Sequence, residues 1–192
     1  PLAPSWVVAE NPRVAARLVR DETNRRFEIE IVERASAGDL TAAKEAGTAK
    51  ESRLHPPGGG ETTPIEALRR NMRMWEKEDI CPRLTDVFQE RLYCIRWIEK
   101  YTDDQGGTQT RRHYRAPTTA DIARETRVLE ILRERFGEWQ TRGYIPSRRI
   151  EPGDETTRLQ RERGWTYWHH LFTPRQLLTN GLFAAEAHRQ TE

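Results

Sequence analysis

The sequence predicts an α+β fold: a small antiparallel sheet or hairpins, one long helix at about 119–142, and a C-terminal helix at about 174–188. Three observations predict it. Arg26–Glu33 alternates polar and apolar residues almost strictly, the mark of a half-buried strand. Ile122, Val128, Leu129, Leu132, Phe136 and Trp139 recur mostly at helical spacing. Thr173-Pro174-Arg175-Gln176 reads as a capping box, with proline in the first helical turn.

The elements follow in order. Ser5–Val8 is a short apolar run closed by Asn11-Pro12, and Val14–Val19 follows it. Asp21-Glu22-Thr23-Asn24 turns the chain into the alternating strand. Ser36-Ala37-Gly38-Asp39 opens a short alanine-rich helix, Leu40–Ala46, ended by Gly47. The segment 48–63, centred on His55-Pro56-Pro57-Gly58-Gly59-Gly60, reads as a loop. Pro64 is placed at the first turn of a helix from Ile65 to Trp75, with Arg69, Arg70 and Arg73 as a positive face. Arg91–Ile98 and Arg111–Arg115 form a hairpin across Asp103–Gly107. Thr118 or Thr119 caps the long helix, Asp121 lies at its positive end, and Gly143 closes it. Residues 144–172 read as an Arg-rich connector and an aromatic loop, leading into the terminal segment 173–192. At 192 residues this is expected to be a single domain: a strand-rich part (1–47), the loop, and the hairpin with its long helix (64–143) come first.

Composition bounds the function. Hydrophobic residues make up 35%, charged residues 32%, and mean hydropathy is -0.89. No apolar run approaches the ~20 residues of a spanning helix. The opening Pro1-Leu2-Ala3-Pro4 has no Met, basic region or apolar stretch, so it is not a signal peptide and reads as a boundary inside a longer protein. Cys81 and Cys94 are too few for a disulfide framework and suit a reducing cytoplasm, as small buried hydrophobes. Net charge is only +2, but the bases are 28 Arg against 4 Lys. Arginine's planar fork binds phosphate or guanine bidentately, which lysine cannot do. A GC-rich genome produces the same bias.

Two stretches carry candidate binding residues. Arg111, Arg112, Tyr114 and Arg115 form a basic strand that fits a phosphate backbone, or equally an edge protected by charge. Trp165–Phe172 precedes a helix N-terminus bearing Arg175 and Gln176, an arrangement suited to an anion. Its aromatics, Trp168 among them, either stack on an unpaired base or anchor the loop in the core. His169-His170 lacks a nearby carboxylate or cysteine at chelating distance, so the pair is structural or faces a nucleic acid rather than a metal. Arg148 and Arg149 complete the basic set.

Catalytic motifs are missing. The one Pro-Pro, in His55-Pro56-Pro57-Gly58, lacks the polar residue before it and the aromatic after it that amine-methylating enzymes use on a flipped base. No glycine-rich strand-to-helix turn, Gly-x-Ser-x-Gly, His-Glu-x-x-His or P-loop is present. The segment alone is expected to be catalytically inert.

Ile150–Asp154 and Arg163–Leu178 resemble the central region of the bacterial adenine-specific DNA methylases that contain a zinc ribbon, most specifically at Leu171–Leu178. Pro1–Trp6, Phe88–Tyr93 and Tyr114–Thr118 are similar to that family too. The resemblance implies a piece lying between the S-adenosylmethionine motif and the Pro-Pro-aromatic motif, where some adenine methylases carry target-recognition elements. The parent would use S-adenosylmethionine; this segment would hold no cofactor. Family members commonly carry a second cysteine pair near positions 55–59, which here read His-Pro-Pro-Gly-Gly, so the residues do not favour zinc. Two expectations follow. One is a DNA-contacting insertion of a methylase, using Arg111, Arg112, Arg115, Arg148, Arg149 and Arg175. The other is a structural or protein-interaction module that braces the methylase core or docks a partner in phage defence.

Overall fold

The computed structural model describes residues 2–23 and 25–191. Pro1 of the opening motif, Asn24 of the expected turn and Glu192 of the terminal segment lie outside the described residues. The architecture is α+β, with helices and small antiparallel sheets. Contacts divide the chain into two compact units, Pro1–Ala67 with Leu92–Thr118, and Leu68–Arg91 with Thr119–Glu192. The stretch 64–143, read from sequence as one part, is thereby split: the hairpin belongs to the first unit and the long helix to the second.

In the first unit, strands β1 (Val7–Ala9), β2 (Val14–Asp21) and β3 (Arg26–Glu33) form an antiparallel meander. The β2–β3 register runs from Val14 opposite Glu33 to Asp21 opposite Arg26. Helix α1 (Ala37–Glu45) starts at Ser36, whose hydroxyl accepts from the Asp39 amide while the Asp39 carboxylate accepts from the Ser36 amide. Two backbone donors that the helix cannot satisfy are thus paired. The core is built on small residues: Ala15, Ala16, Ala35 and Ala43 surround Trp6. That leaves room for the indole, whose N–H donates to the Ala46 carbonyl at 3.1 Å.

The expected loop at 48–63 is more ordered than its glycines and prolines suggested. It carries strands β4 (Ala49–Lys50) and β5 (Arg53–Leu54), and with β6 (Thr63–Pro64) these make a miniature antiparallel sheet. Arg53 holds it by donating to the Thr62 hydroxyl and carbonyl. Pro64 therefore sits in a strand rather than a helical turn. Helix α2 spans only Ile65–Arg70; beyond it the Trp75 amide donates to the Gly164 carbonyl and Arg73 to Asp79 and Asp86. Strands β7 (Ile95–Thr102) and β8 (Thr108–Arg115) form the predicted hairpin, beginning four residues later than the aromatic run implied and continuing to the turn. Asp103 makes that turn by accepting from the Gly107 and Gln105 amides.

The second unit is organised on α3 (Thr119–Arg142). Val128, Leu132, Phe136 and Trp139 form one buried stripe, packed with Ile80, Ile145, Leu177 and Leu178. Ile122 falls off that stripe and is exposed. Helix α5 (Pro174–Arg189) lies against α3 and begins with the predicted capping box at Thr173 and Gln176. The connector 144–172 holds a helix that the sequence reading missed, α4 (Asp154–Arg163). Gly153 before it, acids in its first turn and Gly164 after it in left-handed backbone (φ 74°) were signals of its ends. With Leu159 as the one large apolar residue in its ten, the helix has no apolar stripe, so periodicity was silent.

Candidate nucleic-acid interface

The β7–β8 ribbon is eight residues per strand, roughly 26 Å long at ~3.3 Å per residue. Directly opposed residues share a face in an antiparallel pair, so the register sorts the side chains. Ile95, Trp97, Glu99 and Tyr101 share one face with Arg115, His113, Arg111 and Gln109. Arg96, Ile98, Lys100 and Thr102 share the other with Tyr114, Arg112, Thr110 and Thr108.

The first face is interlocked. The Trp97 and His113 rings stack with centroids 5.0 Å apart, and the Arg115 guanidinium lies 5.7 Å from the Trp97 centroid. Arg111 lies over Tyr101 at 4.9 Å. Glu99 sits 2.8 Å from His113 Nε2 and 3.9 Å from Arg111. The second face has no carboxylate. Most of the ribbon is exposed on both sides; the exception is Tyr114, 5% exposed, which is buried rather than presented to a ligand.

A cleft of about 720 Å³ also opens in the first unit, walled by Trp6, Leu18, Phe27, Ala43 and the 55–60 turn. Its rim arginines are engaged, Arg17 with Glu30 at 2.8 Å and Arg20 with Glu22 at 2.9 Å. It therefore attracts a phosphate less than the ribbon does.

In the second unit, His169 and His170 are 0% and 4% exposed. The surface role considered for them gives way to an internal one. Gln140 donates to His169 Nδ1 at 3.3 Å, so His169 Nε2 carries the proton and donates to the Asp79 carbonyl at 3.2 Å. His170 Nδ1 accepts from the Thr166 and Tyr167 amides, leaving Nε2 to donate to the Glu76 carbonyl at 3.0 Å. Burial lowers both pKa values; that of His170, pushed down further by the neighbouring His169, falls to about 4. Both rings are neutral at pH 7 and have no charge to offer a phosphate.

These histidines anchor a segment without regular structure, 71–91, which is also cross-braced internally. Arg73 forks onto Asp86 with two bonds of 2.9 Å and donates to Asp79 at 2.6 Å, while Arg83 bonds Asp79 and Glu76. Burial alone would raise the Asp79 pKa, but Arg73, the Glu76 amide and Arg83 hold it below the ordinary carboxylate value. The positive face expected from Arg69, Arg70 and Arg73 is not a free cationic surface: Arg69 also pairs with Glu162, at 3.5 Å.

Other predicted residues have mixed fates. Arg175 reaches Glu125 with Nε at 3.1 Å and Nη2 at 2.5 Å, tying α5 to α3. Gln176 accepts from the Thr173 amide at 2.9 Å, so the helix start is partly satisfied by its own cap. Arg148, Arg149 and Trp168 come together: the Trp168 amide donates to the Arg148 carbonyl, and Arg149 bridges Tyr167. Both arginines are exposed, and Trp168 is 38% exposed. In this stretch the imidazoles are the core anchors, while Trp168, Leu171 and Phe172 remain partly in solvent.

Sequence reasoning missed Arg96, Trp97, Lys100 and Tyr101, although alternation from 95 to 102 combined with the Asp103–Gly107 turn assigns their faces. Asp79, Glu76 and Gln140, the partners of the histidines, gave no local signal. Among the described residues no group of three or more His, Cys, Asp or Glu side chains stands together as a metal site. Among the described residues, too, no helix is long and apolar enough to cross a membrane. The chain matches no family model, and neither the curated proteins nor the solved structures yield a significant match.

Proposed function

We propose that this chain is a DNA-contacting, non-catalytic module of an S-adenosylmethionine-dependent, adenine-specific DNA methyltransferase, inserted between that enzyme's cofactor and catalytic motifs. The β7–β8 ribbon is its contacting element. One observation carries the DNA part: a largely exposed two-stranded ribbon whose strands bear Arg96, Lys100, Arg111, Arg112 and Arg115 against the single carboxylate Glu99. A ribbon that buries little beyond Tyr114 gains little from burial. Its form fits the DNA major groove, ~12 Å wide, which admits a two-stranded ribbon. The methylase part is supported by the resemblance at Leu171–Leu178 and the flanking segments.

The test is fluorescence anisotropy of the 192-residue chain with a labelled duplex at low and high salt. Binding at low salt that weakens as salt rises is expected, because phosphate contacts release counterions. No binding at the lowest salt overturns the reading. S-adenosylmethionine is expected to leave the melting temperature unchanged, since stabilisation by a ligand requires a site.

A second reading, a module that braces the methylase core or docks a defence partner, draws on α5, where Leu182 and Phe183 are 46% and 73% exposed. It predicts no DNA affinity, so the same titration separates the two.

A further inference from the structure

The five cations of the ribbon are not equivalent. Arg111 and Arg115 are engaged on the aromatic face, with Tyr101 and Glu99 for the first and with Trp97 and the Ala116 carbonyl for the second. Arg96, Lys100 and Arg112 are exposed on the other face, and none of their side chains makes a hydrogen bond or ion pair with a described residue. Arg96 and Lys100 are four residues apart on β7, and Arg112 stands opposite Ile98, midway between them. The three cations therefore step along the ribbon by ~6.6 Å, two strand residues each. Phosphates of one DNA strand rise ~3.4 Å along the helix axis but also turn about it, with ~10 per turn, so consecutive phosphates stand ~6–7 Å apart along the backbone, close to this step.

We infer that the ribbon grips the DNA sugar-phosphate backbone through Arg96, Lys100 and Arg112, meeting consecutive phosphates of one strand, while the Arg111–Arg115 face stiffens the hairpin. The inference rests on the DNA-contacting reading above and specifies its residues. Desolvating an arginine already held by a carboxylate and a ring forfeits those contacts; an unpartnered one forfeits only water. Thr108 and Thr110 on the same face add neutral donors to phosphate oxygens. Contacts of this kind position a protein on DNA without reading bases, so affinity for duplexes of unrelated sequence is expected to be similar.

The experiment measures binding of the full chain to a labelled duplex across a fourfold range of salt. Three phosphate contacts give a log–log slope of about -2.7, steeper if further phosphates are met. Arg96→Gln, Lys100→Gln and Arg112→Gln should each lower the slope by about 0.9, so each variant loses about 3.5-fold less affinity over that range. These side chains make no hydrogen bond or ion pair with a described residue, so the variants should melt like the parent. The double variant R111Q/R115Q should keep the parent's slope, with amide exchange across the hairpin reporting whether it frays. Unchanged slopes in the three single variants, or a slope lost only in the double variant, overturn the inference while DNA binding itself stands. If the parent does not bind at the lowest salt, the DNA reading falls and this inference with it.

Discussion

His170 Nε2 donates to the carbonyl oxygen of Glu76 at 3.0 Å, across 94 residues of sequence. The same ring accepts two backbone amides, from Thr166 and Tyr167. One imidazole thus satisfies three backbone groups on two chain segments, and its neighbour His169 holds the Asp79 carbonyl. Segment 71–91, poor in regular structure, is held by this pair together with the Trp75 amide on the Gly164 carbonyl and Ile80 in the core.

Replacing His170 with alanine should therefore destabilise the protein out of proportion to the side chain's size. Each buried backbone group left unpaired costs about 1–3 kcal/mol, and the vacated volume adds a cavity. A loss of about 3 kcal/mol or more is expected, read as a lower urea midpoint followed by tryptophan fluorescence. An unchanged midpoint would show that the ring is dispensable.

The same ring makes stability depend on pH. Burial, then His169, hold the His170 pKa at about 4, below the ~6.5 of the unfolded chain. The unfolded state therefore binds more protons between these values, and stability falls as pH falls from ~6.5 to ~4. The full loss is on the order of 3 kcal/mol. Asp79 and Asp86 act in a separate window: their lowered pKa values contribute stability above ~3.9 that is lost at still lower pH. Urea unfolding at pH 7 and pH 4.5 should show the first effect, and His170→Asn should flatten it. Equal stability of the parent at both values would contradict a buried, neutral imidazole.

Two glycines should answer the same substitution with opposite signs. A Cβ on Gly181 would lie 2.2 Å from Trp139 Cε3 and Cζ3, so the close approach of α5 to the Trp139 ring requires the absence of a side chain there. Gly181→Ala should cost about 1–3 kcal/mol through overpacking, seen as a lower melting temperature. Gly137 is exposed on α3 with nothing within 4 Å of its would-be Cβ. Gly137→Ala should gain up to about 1 kcal/mol from helix propensity alone. Parallel shifts in the two variants would show that the helix contact is misplaced.

By itself the sequence determined the elements whose physics is local. The alternation of Arg26–Glu33, the stripe from Val128 to Trp139, the Asp103–Gly107 turn and the Thr173–Gln176 cap all stand where their residue patterns put them. Each rests on spacing or capping over a few residues, which the chain carries without reference to distant parts. The tertiary structure decided what depends on remote partners. It turned His169 and His170 inward because the carbonyls of Asp79 and Glu76 meet them. It drew Arg73 and Arg175 onto carboxylates and left Arg96, Lys100 and Arg112 without any. Burial and charge pairing are properties of neighbours in space, and residues such as 76 and 170 become neighbours only when the chain has folded.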